Sequence, residues 1–290
     1  MSDLEKIAIE RLKIGAEMSE QYYEKPLMIT YSGGKDSDIC VELAIRSGIN
    51  FEVHNSHTTA DAPETVRYIR QRFKEWESKG IKCEISKPMY QGKRTSMWDL
   101  IVKKGMPPSR LMRYCCAVLK ETAGDNRAIS TGVRRAESAK RSNRGIYETI
   151  TPKISDKIIL NNDNDDRRQV IERCEMKGKI VINPIIDWKD SDVWEYIRSE
   201  KLTVNPLYQC GFNRVGCIGC PMAGKKRYTE FRIYPKYKQM YIHAFDRMLE
   251  ARKAKGKYDP DWNSGYDVFQ WWMEENPNQI TFYDKEIKNE

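Results

Sequence analysis

The sequence predicts a doubly wound, mostly parallel α/β sheet with a helical C-terminal appendage. Three observations lead there. Short apolar runs alternate with helix-spaced segments through residues 27–204. The run Ser32-Gly33-Gly34-Lys35-Asp36-Ser37 stands between the first strand and the helix that follows it. Beyond Asn205 the strand pattern gives way to an aromatic-rich helical one. Strands alternating with helices imply parallel βαβ units. The division expected is therefore an α/β domain over 1–204 and a helical appendage over 205–290.

Taken in order, residues 4–23 form an amphipathic helix, with Leu4, Ile7, Ile9, Leu12, Ile14 and Met18 roughly on one side, ended by Pro26. Leu27–Tyr31 suits a buried strand; the glycines follow, and Ile39, Cys40, Leu43 and Ala44 resume helical spacing. Phe51–His54, residues 81–85 and Ala128–Val133 are further strands, separated by helices opening at Ala62-Pro63-Glu64 and covering 96–104. The polar run 161–168 reads as a surface loop, Val181–Ile186 as a strand and Ser191–Ser199 as a helix. Residues 205–221 read as a cysteine-bearing loop, and Thr229–Lys255 as one long helix.

The 290 residues carry a net charge of +8, which suits anionic partners without choosing among them. Lys225-Lys226-Arg227 and Lys253–Lys257 read as solvated helix faces that could also contact phosphates. No apolar run approaches the ~20 residues of a membrane span, and the first residues lack the cleavage pattern of a signal peptide. A cytoplasmic protein without a membrane partner is the expectation. Eight cysteines then favour metal or redox chemistry over a disulfide framework, and three histidines argue against an imidazole-rich centre.

A glycine pair between a buried strand and a helix lets the backbone approach an anion and adds the positive end of the helix dipole. Ser32 and Ser37 can donate hydroxyl hydrogen bonds to phosphate, Lys35 offers a point charge, and Asp36 suits Mg²⁺ or loop orientation. The spacing is not that of a Walker A loop. At the end of the fourth strand, Arg134 and Arg135 stand where ligands of parallel sheets usually bind, and their guanidinium forks match phosphate geometry. Trp188 and Trp194 are read as core packing.

Ser32–Ser37 resembles the PP-loop of enzymes that cleave ATP between its α- and β-phosphates, and the resemblance continues along the chain. Asp61-Ala62-Pro63-Glu64-Thr65, Gly132-Val133-Arg134-Arg135-Ala136-Glu137-Ser138 with Arg141, Pro184–Trp188 with Asp192–Ile197, and Asn205–Tyr208 are similar to segments of the phosphoadenosine phosphosulfate (PAPS) reductase family. The resemblance spans 27–221 and implies a PP-loop fold acting on an adenine nucleotide. It also implies that Gly132, Arg134, Arg135 and Arg141 line the phosphate or sulfate side.

Cys115-Cys116 and Cys217-Ile-Gly-Cys220 could supply four thiolates to one centre, either zinc or an iron–sulfur cluster. The resemblance to cluster-bearing adenylyl-sulfate reductases implies a [4Fe-4S] cluster, with zinc the alternative. Cys210 is a reserve ligand or a sulfur carrier. Cys40 and Cys83 fit apolar helix and strand positions; Cys174 is isolated.

Two features depart from the family pattern. The thioredoxin-dependent reductases carry a nucleophilic cysteine in a late Glu-Cys-Gly motif, and no cysteine follows Cys220 in this sequence. The lysine at position 35 resembles ATP pyrophosphatases more than sulfonucleotide reductases. The expected function is ATP-dependent, with AMP and pyrophosphate as products and sulfur transferred to an acceptor, for which a nucleic acid is compatible. Lys35, Asp36, Arg134 and Cys210 are its catalytic candidates. The alternatives are a PAPS or adenylyl-sulfate reductase with a non-standard thiol, and a nucleotide-binding regulator. A sulfur- or electron-donor protein and a homodimer are compatible with the sequence.

Overall fold

A computed structural model describes residues 2–139, 141–150, 159–160 and 179–274. The chain forms two compact units with interleaved ranges: residues 1–56, 63–86 and 122–215 make the first, and residues 57–62, 87–121 and 216–290 the second. The polar run 161–168, Cys174 and the residues beyond 274 lie outside the described residues.

The first unit is built on a seven-stranded sheet of order β3-β2-β1-β6-β9-β7-β8. Its strands are β1 (Leu27–Thr30), β2 (Phe51–Ser56), β3 (Cys83–Ser86), β6 (Ala128–Ser130), β7 (Tyr147–Ile150), β8 (Ile159–Leu160) and β9 (Lys179–Ile182). β3, β2, β1, β6 and β9 run parallel, while β7 and β8 add antiparallel to the far edge. The mostly parallel α/β expectation holds.

Sequence order reverses at β1: the chain moves outward through β2 and β3, then returns to place β6 on the other flank. The carboxyl ends of β1 and β6 therefore flank a topological switch point, where open α/β sheets bind ligands. Leu27 and Ile29 point into the main core with Ala128, Ile180 and Ile182. Met28, Ile129 and Val181, one residue out of phase, gather on the opposite face.

Helix α1 (Asp3–Tyr23) starts where the Ser2 side chain accepts from the Glu5 N–H and ends at Glu24 in left-handed conformation. It lays Ala8, Leu12 and Met18 on the core. Helix α2 (Lys35–Ser47) buries Ile39, Cys40, Leu43 and Ala44 there. Helix α3 (Pro63–Glu77) adds Tyr68, Phe73 and Trp76, and α6 (Asp190–Ser199) adds Val193 and Ile197. The buried Cys40 and the strand residue Cys83 sit at apolar positions, as expected.

The second unit holds the hairpin β4 (Met89–Tyr90) and β5 (Lys93–Arg94) and helices α4 (Met97–Lys104), α5 (Tyr114–Leu119), α7 (Lys226–Ile233), α8 (Pro235–Lys253) and α9 (Gly265–Met273). Its core is aromatic: Phe231, Tyr241, Phe245, Phe269 and Trp272 meet with ring centroids between 4.7 and 6.1 Å apart. Trp272 donates its indole N–H to the Pro108 carbonyl at 2.6 Å.

Two expectations need correction. The long helix over Thr229–Lys255 is two helices, because Pro235 has no N–H to continue the first, and Tyr234 sits at φ −117°, ψ 66°. The fourth strand ends at Ser130 rather than Val133. Its continuation leaves the sheet so that Gly132 can lie against the backbone of Asp36. Among the described residues no helix is long and apolar enough to cross a membrane.

Candidate functional site

In the first unit, β1 delivers Ser32 and the glycine pair to the start of α2. Gly33 has φ +73°, a conformation glycine adopts at little cost, and an added Cβ would lie 2.9 Å from the Ile69 side chain. Gly34 caps α2 with extended backbone and no side-chain bond, leaving the opening turn to be completed by other groups. The Ser37 hydroxyl donates to the Gly34 carbonyl at 2.7 Å and lies 3.3 Å from the Ser32 hydroxyl, which puts both serines on the inner edge of the turn. Asn205 donates to the Gly33 carbonyl (3.0 Å) and to Thr65 (3.1 Å), and the Tyr208 hydroxyl accepts the Lys35 N–H at 3.1 Å. The Asn205–Tyr208 segment thus braces the loop from outside the β1–α2 connection.

The side chains at this turn form a charge quartet. The Lys35 ammonium lies 3.1 Å from Asp36 and 3.3 Å from Asp190. Arg134 donates to Asp36 (2.6 Å), Asp190 (3.0 Å) and the Trp188 carbonyl (3.3 Å). Both cations are largely buried, with side chains 7 and 3 % exposed, whereas Asp190 is 67 % exposed and faces solvent. Burial alone would raise the Asp190 carboxyl, but Lys35 and Arg134 hold it below the usual range. Two fixed cations and two carboxylates at a helix N-terminus give donors for phosphate oxygens, and a carboxylate pair chemically suited to Mg²⁺.

The other predicted residues fall differently. Gly132 lies against the loop: a Cβ there would sit 2.9 Å from the Asp36 carbonyl carbon. Arg135 pairs with Asp187 and donates to the Arg144 carbonyl, and the partly exposed Arg141 pairs with Glu137. Neither arginine contacts the quartet in the bonds described. Trp188 is buried beneath Arg134, and Trp194 stacks edge-on against Tyr208 with ring centroids 5.4 Å apart.

Directly behind the loop, Asp38 is buried and accepts from Tyr31 at 2.7 Å, and Tyr68 lies 3.0 Å away with its hydroxyl also 2.8 Å from the Thr203 carbonyl. Desolvation pushes the Asp38 carboxyl up to about 7, against the lowering effect of the two tyrosine hydrogen bonds.

The second unit holds the thiols. Cys115 and Cys116 lie in α5, and Cys217 and Cys220 flank a turn whose Cys220 N–H donates to the Cys217 carbonyl at 3.3 Å. The four interact electrostatically: Cys115 feels Cys116, Cys220 and Cys217. A hydrogen bond from Cys115, aided by Arg113 and Lys120, brings the Cys116 thiol down to about 5, and the same bond raises Cys115. Burial pushes Cys217 up while Lys120 opposes it. The Cys217 thiol lies 3.3 Å from the Thr58 hydroxyl, and Cys217 forms a β-bridge with Asp61. Burial would raise Asp61, but His57, Lys120 and the Thr58 N–H hold it low. Gly219 makes the turn possible, with φ +74° and an added Cβ clashing with Phe231 and Tyr241. Among the described residues no group of three or more His, Cys, Asp or Glu is gathered for a single metal ion; tetrahedral zinc would need thiolates about 3.8 Å apart. Four thiols with Lys120 and Arg113 nearby are by their chemistry a donor set for either zinc or an iron–sulfur cluster. The exposed Cys210 belongs to the first unit, in the turn after Tyr208.

Sequence reasoning missed Asp190, Asn205, Tyr208, Asp61 and Lys120 as site residues. The last five residues of the Cys115–Lys120 run carry a spacing signal, since a lysine four residues beyond Cys116 falls on the same side of a helix. Asp190 has none beyond its place in the first turn of α6.

The phosphoadenosine phosphosulfate reductase domain profile matches residues 26–223. An uncharacterised protein of Methanocaldococcus jannaschii is 27 % identical over 267 residues, covering 87 % of this chain and 55 % of its own length. The adenosine 5'-phosphosulfate reductase of Streptomyces coelicolor is 32 % identical over 111 residues, 37 % of each chain. The chain thus spans about half or less of the length of these relatives. A crystal structure of phosphoadenylyl-sulfate reductase from Candida auris, in complex with phosphate, is 17 % identical, with a TM-score of 0.47 over 75 % of this chain and 96 % of that one. With its glycine-rich loop at the switch point of a doubly wound sheet, this chain belongs to the phosphoadenosine phosphosulfate reductase domain family.

Proposed function

We propose that the protein binds ATP on the Ser32–Ser37 loop and transfers its adenylyl group to an acceptor oxygen. Sulfide from a sulfur donor then attacks the activated carbon, forming a C–S bond as the C–O bond breaks and AMP leaves with that electron pair. The carrying observation is the buried Lys35 ammonium, held with Arg134 against Asp36 and Asp190 at the first turn of α2. A lysine fixed there suits a pyrophosphate leaving group, which a sulfonucleotide lacks.

In this account the acceptor oxygen attacks the α-phosphorus, the bond to the bridging oxygen breaks, and pyrophosphate departs carrying that electron pair. The opening N–H groups of α2, Ser32, Ser37 and Lys35 hold the pyrophosphate. Arg134 neutralises charge on the α-phosphoryl oxygens, and Gly132 lets it approach. Asp36 and Asp190 would hold Mg²⁺, which supplies charge neutralisation across the phosphates. Cys115, Cys116, Cys217 and Cys220 would hold a [4Fe-4S] cluster, which supplies redox or sulfur-binding capacity. Cys210 is exposed enough to carry sulfur.

A second reading, reduction of PAPS or adenylyl sulfate to sulfite, draws on the family match and the similarity to adenosine 5'-phosphosulfate reductases. Product analysis separates the two. Anaerobically purified protein is given ATP, adenylyl sulfate or PAPS, each with thiol and with total cellular RNA as acceptor. AMP and pyrophosphate from ATP, lost in Lys35→Ala, support adenylyl transfer; sulfite from a sulfonucleotide, with no turnover of ATP, overturns it in favour of reduction.

A further inference from the structure

The charges of the chain are unevenly divided. The first unit carries 29 Lys and Arg against 28 Asp and Glu, whereas the second carries 21 against 14, so +7 of the net +8 belongs to the second unit. Within it, the β4–β5 hairpin presents a compact cationic and aromatic surface unused by the chemistry above. The two strands pair Tyr90 with Lys93 and Met89 with Arg94, so Tyr90 and Lys93 share a face. Gln91 and Gly92 at the tip both have positive φ (51° and 75°), the tight turn that suits a two-residue hairpin.

Helix α4 ends beside this face. The Lys103 ammonium lies 5.4 Å and the Lys104 ammonium 5.0 Å from the Tyr90 ring centroid. Lys93, Arg94, Lys103, Lys104 and Met89 are exposed, and Tyr90 is half-buried. Between residues 87 and 104 there are five Lys and Arg and one acid, Asp99. Asp99 bonds Ser96 at the start of α4, at the opposite end of that helix from the lysines.

Two ammonium groups over one aromatic ring, with exposed Lys93 opposite that ring in the hairpin register, concentrate like charge that an incoming polyanion relieves. The ring adds what a phosphate site alone does not need: a flat apolar face on which a base can stack. Stacking requires an unpaired base, and RNA loops and bulges are where unstacked bases are displayed. We propose that the β4–β5 hairpin and the C-terminal end of α4 bind a single-stranded region of a structured RNA, with Tyr90 stacking on a base and Lys93, Lys103 and Lys104 contacting its phosphates. That this RNA is the acceptor of the adenylyl group rests on the reading above; the binding does not, and it is measured without nucleotide.

The test is fluorescence anisotropy with an RNA hairpin carrying an unpaired loop, a fully paired RNA duplex and a DNA duplex, over a range of salt concentrations. The wild-type protein binds the looped RNA more tightly than either duplex. Tyr90→Phe retains this preference and Tyr90→Ala weakens looped-RNA binding by roughly 5- to 150-fold, the span of one lost base stack. Replacing Lys93, Lys103 and Lys104 together with Gln lowers the slope of log affinity against log salt by about 2. Melting temperatures report whether each variant folds, and ultraviolet crosslinking of the wild-type protein to the RNA, expected at residues 87–104, needs no variant. Equal affinity for duplexes, indifference to Tyr90→Ala in a folded protein, or crosslinks confined to other segments would each overturn the proposal.

Discussion

Gly132→Ala isolates the contact that joins the end of β6 to the phosphate loop. An added Cβ would lie 2.9 Å from the Asp36 carbonyl carbon, 3.0 Å from its oxygen and 3.1 Å from its Cβ. All three atoms belong to the first turn of α2 or its root, so no flexible side-chain tip can swing away. Gly132 is not among the glycines with positive φ, so the penalty is steric rather than conformational. Overpacking of this kind costs about 1–3 kcal/mol. If the loop gives way, pyrophosphate and ATP affinity should fall by roughly 5- to 150-fold, the same energy expressed as a binding ratio. Gly48→Ala is the control: Gly48 ends α2 at φ +69° with nothing within 4 Å of the new methyl. It should cost about 1–2 kcal/mol through the left-handed backbone alone, which is a melting shift of about 2–8 °C, and leave nucleotide binding unchanged. Calorimetric titration with pyrophosphate, paired with thermal melts, reads both. A Gly132→Ala protein that binds like the wild type, or a Gly48→Ala protein that loses binding to the same degree, would refute the reasoning.

Asp38, raised to about 7 by burial, keeps its proton in the folded state across a range where the unfolded chain has lost it. Its contribution is therefore full below pH ~4 and is lost as pH rises through 7, at up to about 1.4 kcal/mol per pH unit. Asp38→Asn should flatten that part of the stability profile in urea titrations; an unchanged slope would show that Asp38 is ionised. Arg134→Lys keeps the charge but cannot span Asp36, Asp190 and the Trp188 carbonyl together. It should weaken ATP binding by about tenfold or more, the loss of one to two charge-assisted hydrogen bonds, whereas Arg141→Lys should have little effect. Gly219→Ala forces Phe231 and Tyr241 apart beneath the Cys217–Cys220 turn. Iron and acid-labile sulfide content of anaerobically purified protein should fall nearly as far as in Cys217→Ser, and full iron retention in both would remove the thiols from the metal-binding role.

The parts of the fold governed by local pattern were legible. The β1 run, the spacing of Ile39, Cys40, Leu43 and Ala44, and the glycine pair each carry their signal within a dozen residues, and the structure places them accordingly. β9 starts at Lys179 and ends at Ile182, so the expected strand over Val181–Ile186 was shifted towards the C-terminus. What escaped was set by distant neighbours. Asp190 becomes part of the loop environment only because α6 brings its first turn beside Arg134, and Tyr208 because its hydroxyl reaches the Lys35 N–H from 173 positions away. The hairpin at 89–94 has only two residues per strand, too short for alternation to register. The two-helix break at Pro235 was readable, since proline cannot continue a helix; the apolar spacing on both sides of it masked the interruption. Arg135 and Arg141 pair with Asp187 and Glu137, partners that their motif does not specify.

The central claim is that this loop is built for a nucleotide with a pyrophosphate to hold, and competitive binding tests it most directly. Fluorescent ATP analogue bound to anaerobically purified protein with Mg²⁺ is displaced by pyrophosphate, adenylyl sulfate or PAPS in parallel titrations, for the wild type and for Lys35→Ala. The account predicts that ATP and pyrophosphate compete well, that the sulfonucleotides compete poorly, and that Lys35→Ala loses most of the difference. Tighter displacement by adenylyl sulfate or PAPS, with no competition from pyrophosphate, would contradict it and favour the sulfonucleotide reading.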